Sequence, residues 1–259
     1  MNLIGVFENT LKSEGLSKNT VNSYISSLKN VELALGDVLK VSDDDMSVYL
    51  NSLQESTKRA RSSAVKRYSD FAYRSECIDK RLFDGITFKN AKQKQPEFIS
   101  KEDIELLFRV LDNDVKNTFP NLEVFRNRLM IYLQYSCALR VGELVDIKEN
   151  DINWNDNTIK ILNSKSGPRF VPMKNKLSEM LSQWLRMKKT ANIKAPYIFV
   201  SLGKNHKNKK LSYGGVRVIV KRCLVEAGLG KYTPHQLRHS CANHLLDNGL
   251  EISQISKLL

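Results

Sequence analysis

Apolar residues recur at helical spacing through the first ninety positions. Leu3, Val6, Phe7 and Leu11 form one stripe that ends near Gly15. After Ser17, the residues Val21, Tyr24, Ile25 and Leu28 repeat it as far as Gly36. This three-and-four spacing predicts amphipathic helices bounded by their glycines. Met46, Tyr49, Leu50 and Leu53 follow the acidic start Asp43–Asp45, whose charges suit a helix N-terminus. Ala64, Val65, Tyr68, Phe71 and Ala72 mark a fourth helix. The pattern predicts a small helical bundle over residues 1–90.

The periodicity then breaks. Residues 91–98, polar and carrying Pro96, read as a linker, with the domain boundary near 95. A second domain over 99–259 opens at Ser100 with Ile104, Leu107, Phe108 and Leu111, and continues with a helix around 122–138. Thr158–Leu162 and Arg169–Met173 read as a strand pair around a turn at Ser164–Pro168, and Tyr197–Val200 as a candidate third strand. Helices are predicted again at 175–189, 212–226 and 234–248. The last has Thr233 as cap, Pro234 at its first position and Gly249 as stop. Ile252, Ile255 and Leu258 begin a final helix. The fold class is therefore mainly α with a small β-sheet.

Charge adds a partner to this picture. The 259 residues hold 41 Lys+Arg and 28 Asp+Glu, a net charge of +13. Residues 1–95 carry 15 basic and 12 acidic side chains, whereas 96–259 carry 26 and 16, and within 174–222 there are 13 bases against the single acid Glu179. A solvated face mixes signs, so this imbalance points to a polyanion, with nucleic acid first among the candidates because neutralised phosphates release counterions. No apolar run is long enough to span a membrane, and Glu8 and Lys12 interrupt the stretch a signal peptide would need, so a cytoplasmic protein is expected. Cys77, Cys137, Cys223 and Cys241 are widely spaced and form no Cys-x-x-Cys pair, which argues for reduced structural thiols over a zinc or redox motif.

Three places combine unusual residues. In Ala138-Leu139-Arg140-Val141-Gly142-Glu143-Leu144 an arginine sits among apolar neighbours, where burial requires an anionic partner: Glu143, or a ligand. The hairpin turn carries Lys165. Thr233-Pro234-His235-Gln236-Leu237-Arg238-His239 puts His235 and Arg238 on one face of a helix's first turn, where backbone N–H groups already favour an anion. Guanidinium forks match phosphate oxygens, a histidine can move a proton, and a lysine can protonate a leaving alkoxide. There is neither a carboxylate cage for magnesium nor a Gly-rich nucleotide loop, so metal-free chemistry on a nucleic-acid backbone is the natural reading.

These motifs resemble the tyrosine site-specific recombinases, the phage-integrase family that includes the Xer recombinases. The resemblance spans nearly the whole chain. It rests on Ala-Leu-Arg140-Val-Gly-Glu143-Leu, Ser-Lys165-Ser-Gly-Pro-Arg-Phe-Val-Pro-Met and His235-Gln-Leu-Arg238-His239-Ser-Cys-Ala-Asn-His244-Leu-Leu, and on the N-terminal segments Leu-Ser-Lys18-Asn19-Thr20-Val-Asn-Ser-Tyr24 and Arg61-Ser-Ser63-Ala-Val-Lys66-Arg67-Tyr68. It implies a SAM-like core-binding bundle and a mixed α/β catalytic domain closing as a C-shaped clamp on duplex DNA. A tyrosine would attack the scissile phosphate, leaving a 3′-phosphotyrosyl link and a free 5′-hydroxyl that attacks a partner strand. By position, Arg140 and Arg238 would clamp the non-bridging oxygens, Lys165 would be the general acid and His235 would assist the nucleophile's proton or the phosphate. Glu143 would orient Arg140, and His239 would support the box. Asn19, Thr20, Arg61, Ser63, Lys66 and Arg67 would contact DNA.

The resemblance also implies a tetramer on paired sites, an origin in a mobile element or a Xer-like resolvase, and no metal or nucleotide cofactor. The hairpin is one residue shorter than the common family form, which leaves Lys160 on the preceding strand as the alternative to Lys165. The sequence stops at Leu259, before the position where the family places its nucleophilic tyrosine, and the last tyrosine present is Tyr232. The chain as given is thus expected to bind DNA without cleaving it. It would be either an incomplete recombinase or a non-catalytic DNA-binding regulator.

Overall fold

In a computed structural model the chain divides into two compact units, residues 1–93 and 94–259. The structure describes residues 3–86, 97–113, 121–163, 167–203 and 208–258.

The first unit contains α1 (Leu3–Ser13), α2 (Lys18–Leu35), α3 (Asp43–Asn51) and α4 (Glu55–Arg74). The ends of α2 form where local chemistry dictates. Ser17 accepts from the amide of Thr20, satisfying an N–H that has no partner inside the helix, and Gly36 takes φ 81° at the other end. Ser42 caps α3 in the same way, ahead of Asp43, Asp44 and Asp45. The apolar stripes meet in one core of Phe7, Leu11, Val21, Leu28, Met46, Leu50, Val65 and Tyr68, which Phe83 and Ile86 complete. Phe7 lies 5.3 Å from the Tyr68 ring and 5.2 Å from that of Phe71.

The second unit is built around α6 (Leu122–Ser136), which is buried on every side over Phe125–Gln134 apart from the half-buried Arg128. The buried polar side chains of this helix are hydrogen-bonded: Arg126 donates to Asn127 Oδ1 and to the Val200 carbonyl, and Gln134 Nε2 donates to the Pro234 carbonyl. Around it pack α5 (Lys101–Asn113), α8 (Asn175–Thr190), α9 (Tyr213–Glu226) and α10 (Pro234–Asp247), through Leu107, Trp184, Val220 and Leu237. The short helix α7 (Val141–Asp146) was not evident from periodicity, because its six residues are less than two turns. It follows Ala138, which takes φ 47° and so turns the chain between α6 and α7 in a conformation that L-residues rarely adopt.

The sheet is antiparallel in the order β1 (Ile152–Asn153), β2 (Thr158–Ile161), β3 (Arg169–Pro172). Its register sets Ile159 opposite Val171 and Ile161 opposite Arg169. The third strand expected at Tyr197–Val200 is a correction. That segment makes only isolated bridges, Lys148 with Tyr197 and Val200 with Lys210, while β1 completes the sheet. Ile198 and Phe199 join the helical core instead, where the Ile198 carbonyl accepts from the Trp184 indole, and Val200 is buried with its carbonyl accepting from Arg126 of α6. α11 (Ile252–Leu258) ends the described chain. Cys137, Cys223 and Cys241 are buried and Cys77 is exposed. No described helix is long and apolar enough to cross a membrane.

Candidate active site

Glu143 is the hub of the site. On α7 its side chain is 2% exposed, a burial that a carboxylate tolerates only when fully hydrogen-bonded. Oε1 accepts from Arg140 Nη1 at 2.8 Å and from Arg169 Nη1 at 3.0 Å. Oε2 accepts from the Arg140 backbone N–H at 2.9 Å, from Arg169 Nη2 at 2.9 Å and from Arg238 Nη1 at 3.5 Å. Burial pushes the Glu143 carboxyl upward, but the hydrogen bonds from Arg169 and Arg140 outweigh it and hold its pKa below the ordinary value.

Three elements deliver the arginines. Arg140 precedes the first turn of α7, and its side chain, at 35% exposure, is the most open of the three. Arg169 is the first residue of β3 and Arg238 lies one turn inside α10, both nearly buried. Arg238 also donates to the carbonyl of Ala138 at 2.7 Å, which the left-handed turn presents to it. Burial, then the nearby Arg140, pulls the Arg238 pKa down to about 10 against the upward pull of Glu143. Three guanidiniums share one carboxylate, a charge arrangement made for a further anion.

His235 stands exposed at the start of α10, its ring 4.6 Å from that of His239. Partial loss of water around the ring lowers its pKa first, then His239, Arg238 and Arg140, so the neutral imidazole is favoured beside the arginines. The helix start is held from two sides. Thr233 donates its amide and hydroxyl to Gln236 Oε1, and Gln134 Nε2 on α6 donates to the Pro234 carbonyl at 2.8 Å. His244 faces elsewhere, buried with its Nδ1 on the Tyr135 hydroxyl at 2.8 Å.

In the first unit the expected DNA contacts are less uniform. Ser63, Lys66 and Arg67 share one side of α4, and Ser63 meets the Tyr24 hydroxyl of α2 at 3.5 Å. Arg67 pairs with Glu14, and Lys66 reaches the Ile86 carbonyl at 2.6 Å. Arg61 does not join them. At about 100° per residue it lies at least about 120° away around the helix, and it binds the Tyr49 hydroxyl with its guanidinium over that ring. Asn19 is exposed on the first turn of α2, and Thr20 is half-buried with its hydroxyl on Ser17.

Residues 97–259 match the family described as "Phage integrase family", and residues 4–76 match "Phage integrase, N-terminal SAM-like domain". The chain belongs to the phage integrase family. This integrase is 30% identical over 262 residues to Tyrosine recombinase XerA of Pyrococcus horikoshii, covering 98% of this chain and 82% of that protein. It is 28% identical over 271 residues to Tyrosine recombinase XerC of Staphylococcus aureus, covering 98% and 86%. Its fold matches a lambda integrase tetramer bound to a Holliday junction, at TM-score 0.73 and 18% identity over 99% of this chain and 75% of that one. It also matches the Tn1549 transposon integrase in complex with circular intermediate DNA, at 0.70 and 16% over 100% and 91%. By family the integrase is a recombinase enzyme.

Of the integrase's expected site residues, Arg140, Glu143, Arg238 and His235 come together, with His239 beside them. Lys165 lies outside the described residues. Lys160, the alternative, is exposed on β2 and borders a cavity of about 130 Å³ whose wall includes Glu143. Arg169 is the residue that sequence reasoning missed. Its signal was in the strand alternation: Arg169 shares a face with the buried Val171 and Met173, while Phe170 between them is 62% exposed. An arginine pointing inward beside a phenylalanine pointing out announces a buried anionic partner.

Proposed function

We propose that this integrase binds duplex DNA and seats one backbone phosphate against Arg140 and Arg238. The observation that carries this reading is the convergence of three arginines on the buried Glu143, with the neutral-leaning His235 at its edge. Arg140 and Arg238 hold the non-bridging oxygens and stabilise the charge that grows during phosphoryl transfer. His235 accepts or orients the proton of the attacking hydroxyl, and Lys165 supplies a proton to the leaving 5′-oxygen. A tyrosine oxygen forms the new bond to phosphorus as the P–O5′ bond breaks, and the linkage reverses when a 5′-hydroxyl attacks it. Because the phosphotyrosyl bond keeps the diester's energy, the scheme calls for no nucleotide and no metal. Ser63, Lys66, Arg67, Asn19 and Thr20 track the backbone from the N-terminal domain, and Arg61 acts on α3 through Tyr49 instead. Recombination at paired sites would assemble four copies in the cytoplasm, the compartment that holds the DNA.

The nucleophile is not among the hydrogen-bonded tyrosines of the second unit. Tyr132 is committed to Asp112, Tyr135 to His244 and Tyr232 to Asp103. On this reading the 259 residues as given bind DNA without cleaving it. Two assays test this. Fluorescence anisotropy with a labelled duplex should show affinity falling by about 10³ or more between 50 and 200 mM salt if six or more phosphates are contacted. The salt slope should drop by about one in Arg140→Ala/Arg238→Ala, the loss of one phosphate contact. Salt-independent binding, or a double variant with the wild-type slope, overturns the phosphate clamp. On a nicked duplex no covalent adduct should accumulate, and an adduct would assign the nucleophile to one of the nine tyrosines present.

A further inference from the structure

Arg169 uses three nitrogens of its guanidinium in the cluster. Nη1 and Nη2 bridge the two oxygens of Glu143 at 3.0 and 2.9 Å, and Nε donates to the Leu258 carbonyl at 2.8 Å. Its side chain is 9% exposed, against 35% for Arg140, so Arg169 lies behind the carboxylate and Arg140 lies toward solvent. A carboxylate has about four lone-pair sites. Two are taken by the Arg169 fork and two by the Arg140 amide and Nη1, while Arg238 stands at the longer distance of 3.5 Å.

We propose that Arg169 is a positioning residue of the phosphate clamp: by taking both oxygens of Glu143 from behind, it limits the grip of that carboxylate on Arg140 and Arg238 and leaves their charge directed at the bound anion. The inference rests on the phosphate-clamp reading above. Arg169 itself touches no substrate and acts through Glu143. The fork is essential because a lysine carries the same charge on one nitrogen and cannot bridge two oxygens in one plane. The hydrogen bond to Leu258 fixes the third side of the guanidinium and ties the end of α11 to the same carboxylate. Without Arg169, the full negative charge of Glu143 falls on Arg140 and Arg238, and the clamp attracts phosphate less.

The test follows His235 ring signals by NMR in the full 259-residue chain while inorganic phosphate is titrated. Arg169→Met should weaken phosphate about tenfold, because the Glu143 charge that Arg169 engaged turns onto Arg140 and Arg238, a change on the scale of one hydrogen bond to a charged group. It should also raise the pH midpoint of His235 toward the ordinary value, and the Glu143→Gln background separates this from the loss of burial that a packing defect would cause. Arg169→Lys, which keeps the charge and guards against misfolding of the Met variant, should still bind phosphate more weakly than wild type. In a Glu143→Gln background Arg169→Met should change neither quantity, because the carboxylate through which it acts is gone. Wild-type phosphate affinity in Arg169→Met or in Arg169→Lys overturns the proposal. So does an equal loss in the Glu143→Gln background. If the wild-type chain itself shows no response to phosphate, the clamp reading fails first and takes this inference with it.

Discussion

Replacing Glu143 by glutamine removes one charge without changing shape, and the structure sets the size of the consequence. The carboxylate is 2% exposed and accepts from Arg140 twice and from Arg169 twice. A glutamine in its place would keep one acceptor oxygen and turn an NH2 group toward a guanidinium, leaving the arginines without their shared counter-charge. Breaking a buried ion pair from one side costs about 3–5 kcal/mol. For a unit of this size each kcal/mol is about 2–4 °C, so the thermal midpoint of the second unit should fall by roughly 6–20 °C at pH 7. Calorimetry on the full chain reads this directly. The pH dependence gives a second check. The folded-state pKa of Glu143 lies below its unfolded value of about 4.3, so its contribution is fully present above that pH and is lost as pH falls through the folded pKa. The gap between wild type and Glu143→Gln should therefore close in acid. A gap under about 1 kcal/mol at pH 7, or one that persists unchanged at pH 3, would refute the hub role argued for this carboxylate.

Two further outcomes follow from the same geometry. His235 has a folded-state pKa below the ordinary 6.5, so it loses stability as pH falls through 6.5 and the loss is complete below the folded value; Arg140→Ala should raise its NMR titration midpoint, and an unchanged midpoint would separate His235 from the cluster. Gln134→Leu removes the buried hydrogen bond to the Pro234 carbonyl and should lower stability by about 1 kcal/mol in a urea titration; a variant as stable as wild type would show that α10 needs no tether from α6.

The helices were legible because their signal is local. The stripes of Phe7 and Leu11, Val21 and Leu28, and Val65 and Tyr68 follow the 3.6-residue period, and Ser17, Ser42, Gly36 and Pro234 mark ends by their own backbone chemistry. Arg140 with Glu143 and His235 with Arg238 were legible for the same reason, each pair being three residues apart on one turn. Elements without a period of their own were harder. β1 is two residues long, α7 is six, and Ile198-Phe199-Val200 has the composition of a strand, yet Ile198 and Phe199 pack into the helical core and Val200 makes a single isolated bridge. Arg61 stood with Ser63, Lys66 and Arg67 in one motif of the resemblance, and α4 sets it on another side of the helix, against Tyr49.

The amino-acid sequence by itself determined the longer helices, the surplus of positive charge, and the two short motifs that carry Arg140, His235 and Arg238. Only the tertiary structure decided that these motifs meet. Arg169 and Arg238 reach Glu143 from 26 and 95 residues away in the chain. Periodicity states which face of an element is apolar, but it does not state which other face will cover it. A buried carboxylate with room for several donors selects its partners by packing distance, and packing distance is set only when helices α6, α7 and α10 and strand β3 close on one core.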